Sequence, residues 1–199
     1  WNMNQGTGNK LTVLDSVGSG RIELGAAVDT GSLVNIDGSN VFTMYGGTVN
    51  GANVRYPNDK VPGAIIRVGA VNAKGTVNIY GGNYMFAPVQ GAENTKPLVN
   101  DSAMRIENAT IYTDVIMDSK AAKLTLAGDT NIKGNIRMGS SSSTTRGILA
   151  VDKSFSGSAT VEYKSGLVSN NMFREVRGSA NGDFTGKLVD TDTLGEAFE

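Results

Sequence analysis

Neither cysteine nor histidine occurs anywhere in the 199 residues. Without cysteine there is no disulfide framework, and without either residue no Cys/His zinc site can be assembled. The lack of histidine removes imidazole acid–base chemistry, the Ser-His-Asp triad included. A cysteine-free chain suits the cytosol, and equally an oxidising exterior where a free thiol is a hazard. Positive charge is not in excess either: 18 basic residues face 19 acidic ones, a net charge of −1. That balance argues against a nucleic-acid surface, which carries a basic stripe. No apolar run approaches membrane-spanning length. No secretory leader is visible, and the chain opens on Trp1, so it reads as an excised domain or a processed chain; the missing leader does not place it in the cytosol.

What the chain has is a recurring phrase. Phe42-Thr43-Met44-Tyr45-Gly46-Gly47-Thr48 returns as Val77-Asn78-Ile79-Tyr80-Gly81-Gly82-Asn83. It returns again as Met104-Arg105-Ile106-Glu107-Asn108-Ala109-Thr110 and as Leu124-Thr125-Leu126-Ala127-Gly128-Asp129-Thr130. Each copy alternates apolar and polar residues, then turns a corner of small residues, then reaches Thr or Asn. Alternation sends the first and third residues to one face of a strand and the second to the other. A second, shorter apolar run precedes each copy: Leu33–Ile36, Ala64–Val68, Pro97–Val99 and Val115–Met117. A fifth, Gly147–Val151, precedes Ala159–Tyr163. The variable segments between copies have room for a third strand, for example over Asn131–Met138. Gly, 26 residues in all, supplies positive φ at the corners without steric penalty.

Three strands per repeat predict an all-β chain built as a parallel β-helix, a solenoid whose stacked strands lie about 4.8 Å apart. Phe42, Met44, Val77, Ile79, Met104, Ile106, Leu124 and Leu126 are expected to form one continuous inner ladder, since no single coil buries enough to stand alone. The spacing is uneven: 35, 27 and 20 positions separate Tyr45, Tyr80, Glu107 and Ala127. The excess reads as irregular loop insertions on one side. The competing architecture is a β-sandwich with coincidental Gly-Gly turns. Residues 1–151 are assigned to the coils, and residues 152–199 to the last coil or coils and a C-terminal capping segment. Within that segment Met172-Phe173-Arg174-Glu175-Val176 reads as a short helical turn.

The stretch Phe42–Gly51 resembles the repeats of large Gram-positive bacterial surface proteins, in which phrases of the type F-T-M-x-G-G-T recur. Leu124–Ile136, followed by Gly147–Tyr163, looks like the closing segment of the same repeats. The likeness spans Leu33–Tyr163 and departs from the pattern where Asn108-Ala109 stands in place of Gly-Gly. The resemblance implies a right-handed β-helix in an extracellular, cell-surface setting. That family is called adhesin-like by association, and fold alone does not carry function across.

Many β-helix proteins cleave polysaccharides, and glycoside hydrolysis needs two carboxylates facing one bond. Asp37, Glu107, Asp114, Asp118 and Asp129 are the candidates. The Gly-His-Gly, Asn-Thr-Asp and Asp-Asp signatures of polygalacturonase-like enzymes are missing, and Glu107 beside Arg105 reads as a solvated pair. No catalytic residue is therefore assigned, and no metal ligand or cofactor. Calcium is the one metal that Asp-rich turns invite. Asp190-Thr191-Asp192 and the pair Asp114/Asp118 are its candidates, although neither completes a calcium motif and each reads as a solvated turn. Asn108-Ala109-Thr110 fits a glycosylation sequon, which carries no meaning in a bacterial protein.

The outward column is the stronger lead. Tyr45 and Tyr80 are expected on one face, flanked by Thr43, Asn78 and Arg105. Exposed aromatic rings beside hydroxyl and amide groups suit a sugar or a protein contact; the alternative is that the segment 49–63 folds over the rings and buries them. The sequence thus points to a non-catalytic surface or secreted module for adhesion or scaffolding. A glycan or protein ligand, or self-association, is its expected partner, with no nucleic acid and no membrane insertion. A self-assembling filament, surface-layer or phage tail-spike subunit is the structural alternative, and a polysaccharide lyase or hydrolase the enzymatic one.

Overall fold

The computed structural model of the chain describes residues 1–3, 7–26, 28–29, 31–55, 64–69, 74–85, 98–117, 122–138, 148–162, 176–177 and 188–190. Among these residues there is no helix. Every described strand pairing is parallel.

After β1 (Asn2–Met3), the chain makes a first circuit of β2 (Lys10–Leu14), β3 (Arg21–Glu23), β4 (Val28–Asp29) and β5 (Ser32–Ile36). The second circuit repeats it as β6 (Val41–Tyr45), β7 (Thr48–Asn50), β8 (Val54–Arg55) and β9 (Ala64–Val68). In the third, β10 (Thr76–Met85) fuses the first two strands and β11 (Leu98–Asn100) follows. The fourth has β12 (Ala103–Ile111) and β13 (Val115–Met117), and the fifth β14 (Lys123–Ala127) and β15 (Asn131–Met138). Then come β16 (Ile148–Val151), β17 (Ser158–Glu162), β18 (Val176–Arg177) and β19 (Leu188–Asp190). Seventeen strands join in one sheet, and β4 pairs with β8 apart from it.

The pairings sort the strands into three columns. The first holds β2, β6, the leading halves of β10 and β12, β14, β16 and β18. The second holds β3, β7, the trailing halves of β10 and β12, the start of β15 and, paired with it, Ser158 at the start of β17. The third holds β1, β5, β9, β11, β13, the end of β15, β17 and β19. Each circuit pairs with the one before and the one after.

This register stacks like on like. Phe42, Val77, Met104, Leu124 and Leu149 form one row, and Met44, Ile79, Ile106, Leu126 and Val151 the next. All ten are buried, including the eight that the alternation predicted. In the third column Val34, Ile66, Leu98, Val115 and Ile136 do the same. Leu33 and Ile65, on the opposite face of β5 and β9, are buried too, so this column is covered on both sides there.

Strand stretches follow directly after the corners, in the variable segments where the sequence left room for a third strand. Thr48 and Asn83 open the next strand stretch, and Val49, Tyr84, Ile111 and Ile132 form its inner row. Tyr84, read as part of a variable segment, is fully buried, and its hydroxyl donates to the Gly81 carbonyl at 3.4 Å. Burial pushes the Tyr84 phenol well above its ordinary range, because phenolate would lose its hydration. Likewise Val176 lies in a strand, β18, and not in a helical turn; residues 172–175 lie outside the described residues.

The corner requires an unusual backbone. Gly46, Gly47, Gly81 and Gly82 all have positive φ, between 76° and 94°. Their amides and carbonyls keep the ladder alive through the bend: Gly46 N donates to Tyr80 O at 3.1 Å, and Asn83 N to Gly47 O at 2.8 Å. In the fourth circuit Asn108 takes the position with φ 54°, and asparagine is the residue that tolerates this region best after glycine. Its Oδ1 accepts from Asp129 N at 2.9 Å. In the fifth circuit the corner is one residue longer. Asn131, not Thr130, pairs with Thr110. Thr130 turns inward, fully buried, and its hydroxyl bonds the carbonyls of Ala127 at 2.7 Å and Ile106 at 3.2 Å. The repeat had placed Thr130 in line with Thr48, Asn83 and Thr110; the extra residue displaces it.

A Cβ built on Gly82 would stand 2.5 Å from the Gly47 carbonyl oxygen, at a φ of 93°. Gly82→Ala is therefore expected to lower unfolding stability by about 2–4 kcal/mol. Urea denaturation checks this; a loss under about 0.5 kcal/mol, the ordinary range for a surface change, would contradict the corner geometry.

Candidate functional site

The outward face of the first column carries two rows of side chains. Thr12, Thr43, Asn78, Arg105 and Thr125 occupy the middle of successive strands. Leu14, Tyr45, Tyr80, Glu107 and Ala127 occupy their ends. All five predicted binding residues thus lie on one face, in the register the repeat implied.

Tyr45 is 44% exposed and Tyr80 half-buried. Their rings stack with centroids 5.0 Å apart and planes 18° from parallel. The cause is the ladder itself, which sets equivalent residues one strand spacing apart, close to the separation that offset aromatic stacking favours. One face of each ring is therefore taken by the other. Leu14 and Glu107 are the next residues of the row on either side, and the exposed parts of the rings, larger for Tyr45 than for Tyr80, face solvent. Beneath them the Asn78 amide donates to the Thr43 hydroxyl at 3.4 Å, a long contact along the same stack.

Leu14, 72% exposed, extends this apolar strip into the first circuit. The corner after Leu14 lacks Gly-Gly, so the repeated phrase does not reach it. The alternation Leu11-Thr12-Val13-Leu14 was the available signal. Here Asp15 builds the turn instead, accepting from the backbone N–H groups of Gly18 and Gly20 at 2.9 Å and of Val17 at 3.2 Å.

At the other end of the strip the chemistry changes. The Arg105 guanidinium donates through Nε at 2.9 Å and Nη2 at 2.7 Å to Glu107 Oε2. Nη2 also lies 3.7 Å from Asp152 Oδ2, two circuits on. Between them, in the Glu107 row, stands Ala127, a side chain too short to block the reach. Asp152 itself is held below the usual carboxylate range, first by the Ser154 backbone N–H at 3.0 Å, then by the Ser154 hydroxyl at 2.8 Å, and by the Arg105 charge.

The other carboxylates of the sequence reading are spread over different corners. Asp37 is buried and accepts from Gly38 N at 2.8 Å. Asp114 is buried and accepts from Asn135 N at 2.8 Å. Asp129 accepts from the Asn131 amide at 2.9 Å. Asp118 and Asp192 lie outside the described residues, as does the Asp190 side chain. Among the described residues no group of three or more acidic side chains is placed to hold a metal ion, and no helix is long and apolar enough to cross a membrane. No protein-family model, no curated protein and no solved structure matches the chain.

The lowered pKa of Asp152 has a sign. The ionised carboxylate is favoured in the fold, so its contribution is present above the ordinary carboxylate range and fades as pH falls through the lowered value. Asp152→Asn is expected to unfold at slightly lower urea than the parent at pH 7, and the gap to narrow as pH falls below the ordinary carboxylate range. The effect is small because the group is solvated. A gap that stays constant with pH would remove the charge from the explanation.

Proposed function

We propose that the chain is a non-catalytic, right-handed parallel β-helix module of a bacterial cell-surface or secreted protein, and that it binds a ligand through the outward face of its first column. The observation that carries the reading is the in-register strip of Leu14, Tyr45 and Tyr80 beside the Thr12–Thr43–Asn78 row. Apolar edges next to hydroxyl and amide groups, with no charged side chain among these six residues, match the surface of a neutral glycan or a polar protein face. The extracellular setting is supported by the likeness of Phe42–Gly51 to Gram-positive surface repeats. A solenoid is supported by three columns visited in constant order with parallel pairing throughout.

The catalytic alternative has less to stand on. Glu107 and Arg105 are each other's hydrogen-bond partners. Asp37, Asp114 and Asp129 each serve a turn or a neighbouring strand.

Two measurements test the proposal. Small-angle scattering of the solenoid should return an elongated particle; a radius of gyration at the compact-globule value, about 16 Å for this length, would sink the β-helix. The second is a glycan array read alongside surface capture of host-cell proteins. Tyr45→Ala with Tyr80→Ala is expected to reduce binding at least tenfold while leaving the urea midpoint within the range of a surface change, since both rings lie outside the core. Undiminished binding by the double variant would refute this face as the site.

A further inference from the structure

We infer that, granted the binding face proposed above, its ligand is a neutral, extended β-1,4-linked glycan lying along the stack of circuits, one sugar unit to each circuit. Two periods coincide. Equivalent side chains recur up the column at the strand spacing, about 4.8 Å. They stand in two rows, Thr12, Thr43 and Asn78, and beside them Leu14, Tyr45 and Tyr80. The ring pair shows this step directly, with centroids 5.0 Å apart. A β-1,4-linked pyranose chain, drawn out straight, advances by nearly the same step with each unit. Successive units then meet the same pairing of a polar side chain with an apolar or aromatic one.

Other polymers do not keep this step. The side chains on one face of an extended peptide recur about every 6.6 Å, so they fall out of phase with the rows after one circuit. An α-1,4-linked glycan curls away from a straight row. A chain laid across the column, along one strand, meets a single polar side chain and a single ring before it reaches the corner. The row chemistry also suits a β-1,4 link, which turns each unit over relative to the last. A threonine hydroxyl or an asparagine amide both donates and accepts, so it serves a unit in either orientation. Thr12 is exposed, and Thr43 and Asn78 are half-buried. Their mutual contact is long, at 3.4 Å, so little is lost when a sugar hydroxyl replaces it.

Charge sets the class and the length. None of the six residues is charged, which complements an uncharged chain. Past Tyr80 the next pair up the column is Arg105 and Glu107, already bonded to each other. The same guanidinium lies 3.7 Å from Asp152 Oδ2. Two carboxylates around one guanidinium disfavour a uronic-acid chain at this end. The matched strip thus covers the first, second and third circuits and stops at the fourth.

The test titrates the full chain, by calorimetry, with cello-oligosaccharides and with N-acetylchito-oligosaccharides from monomer to hexamer. Binding in either series supports the inference, and the pair separates a glucan source from an amino-sugar one. Malto-oligosaccharides and oligogalacturonates are the contrasting series, expected to bind far more weakly. Affinity is expected to rise roughly two- to tenfold with each added β-1,4 unit, the net worth of about one hydrogen bond, and to level off at three units. Leu14→Ala, a surface change at a residue 72% exposed, is expected to end the rise at two. Tyr45→Ala with Tyr80→Ala is expected to remove binding at every length. Affinity independent of length, or a Leu14→Ala effect equal at all lengths, would overturn the axial placement and leave the face standing. Equal binding of a contrasting series, or no binding in either β-1,4 series, would overturn the glycan class. Binding that survives the double tyrosine change would overturn the face itself.

Discussion

Parallel backbone pairing in register, circuit upon circuit, is the constraint on which everything else in this chain depends. Once Val77 is fixed opposite Phe42 and Met104, every residue of β10 meets its equivalents above and below. A slip of one residue would send the inner row to solvent. The same rule acts on the outside, where it sets Tyr80 against Tyr45 and makes them stack. Core packing and surface pattern therefore have one origin, and a change to either is felt along a column more than across it.

Corners are where this constraint is hardest to meet. A strand that bends sharply must still pass hydrogen bonds to its neighbours, and the molecule meets this in several ways. Gly-Gly allows positive φ with the ladder intact, as at Gly46–Gly47 and Gly81–Gly82. Asn108 takes a positive φ and offers its own amide oxygen to the next circuit. Asp15 builds a longer turn from its carboxylate. Thr130 turns inward and ties two carbonyls with one hydroxyl. The departure from Gly-Gly at Asn108-Ala109 is thus a different solution to one geometric problem.

These alternatives also explain what was legible in the sequence. The inner row from Phe42 to Leu126 could be read directly, because burial on one face of a strand leaves a period of two. So could the Tyr45–Tyr80–Glu107 register, because copies of a phrase align themselves. Tyr84 was missed because the strand resumes directly after Gly82, and a short stretch of two or three residues shows no period. Leu14 was hidden because its corner is built by the Asp15 carboxylate and lacks the Gly-Gly that marks the repeated phrase. Thr130 was misplaced because one extra residue in a turn leaves no trace in composition. In each case the signal was lost at a corner, where several residue types answer the same demand.

The outward rows follow a looser rule, which is why they can carry function. An inner position must be apolar and of suitable volume in every circuit. An outer one need only tolerate its two stacked neighbours. That freedom lets one strip pass from Leu14 through Tyr45 and Tyr80 to Glu107 within four circuits. It also lets a small residue matter by its size: with Ala127 in the row, Arg105 reaches over the fifth circuit towards Asp152 in the sixth. A longer side chain there would separate the two charges and leave the guanidinium to Glu107 alone. The apolar half of the face is bounded at that point, since the ion network draws water and gives an apolar or stacking ligand no purchase. The proposed binding face is in this way delimited by the same vertical neighbours that build the core.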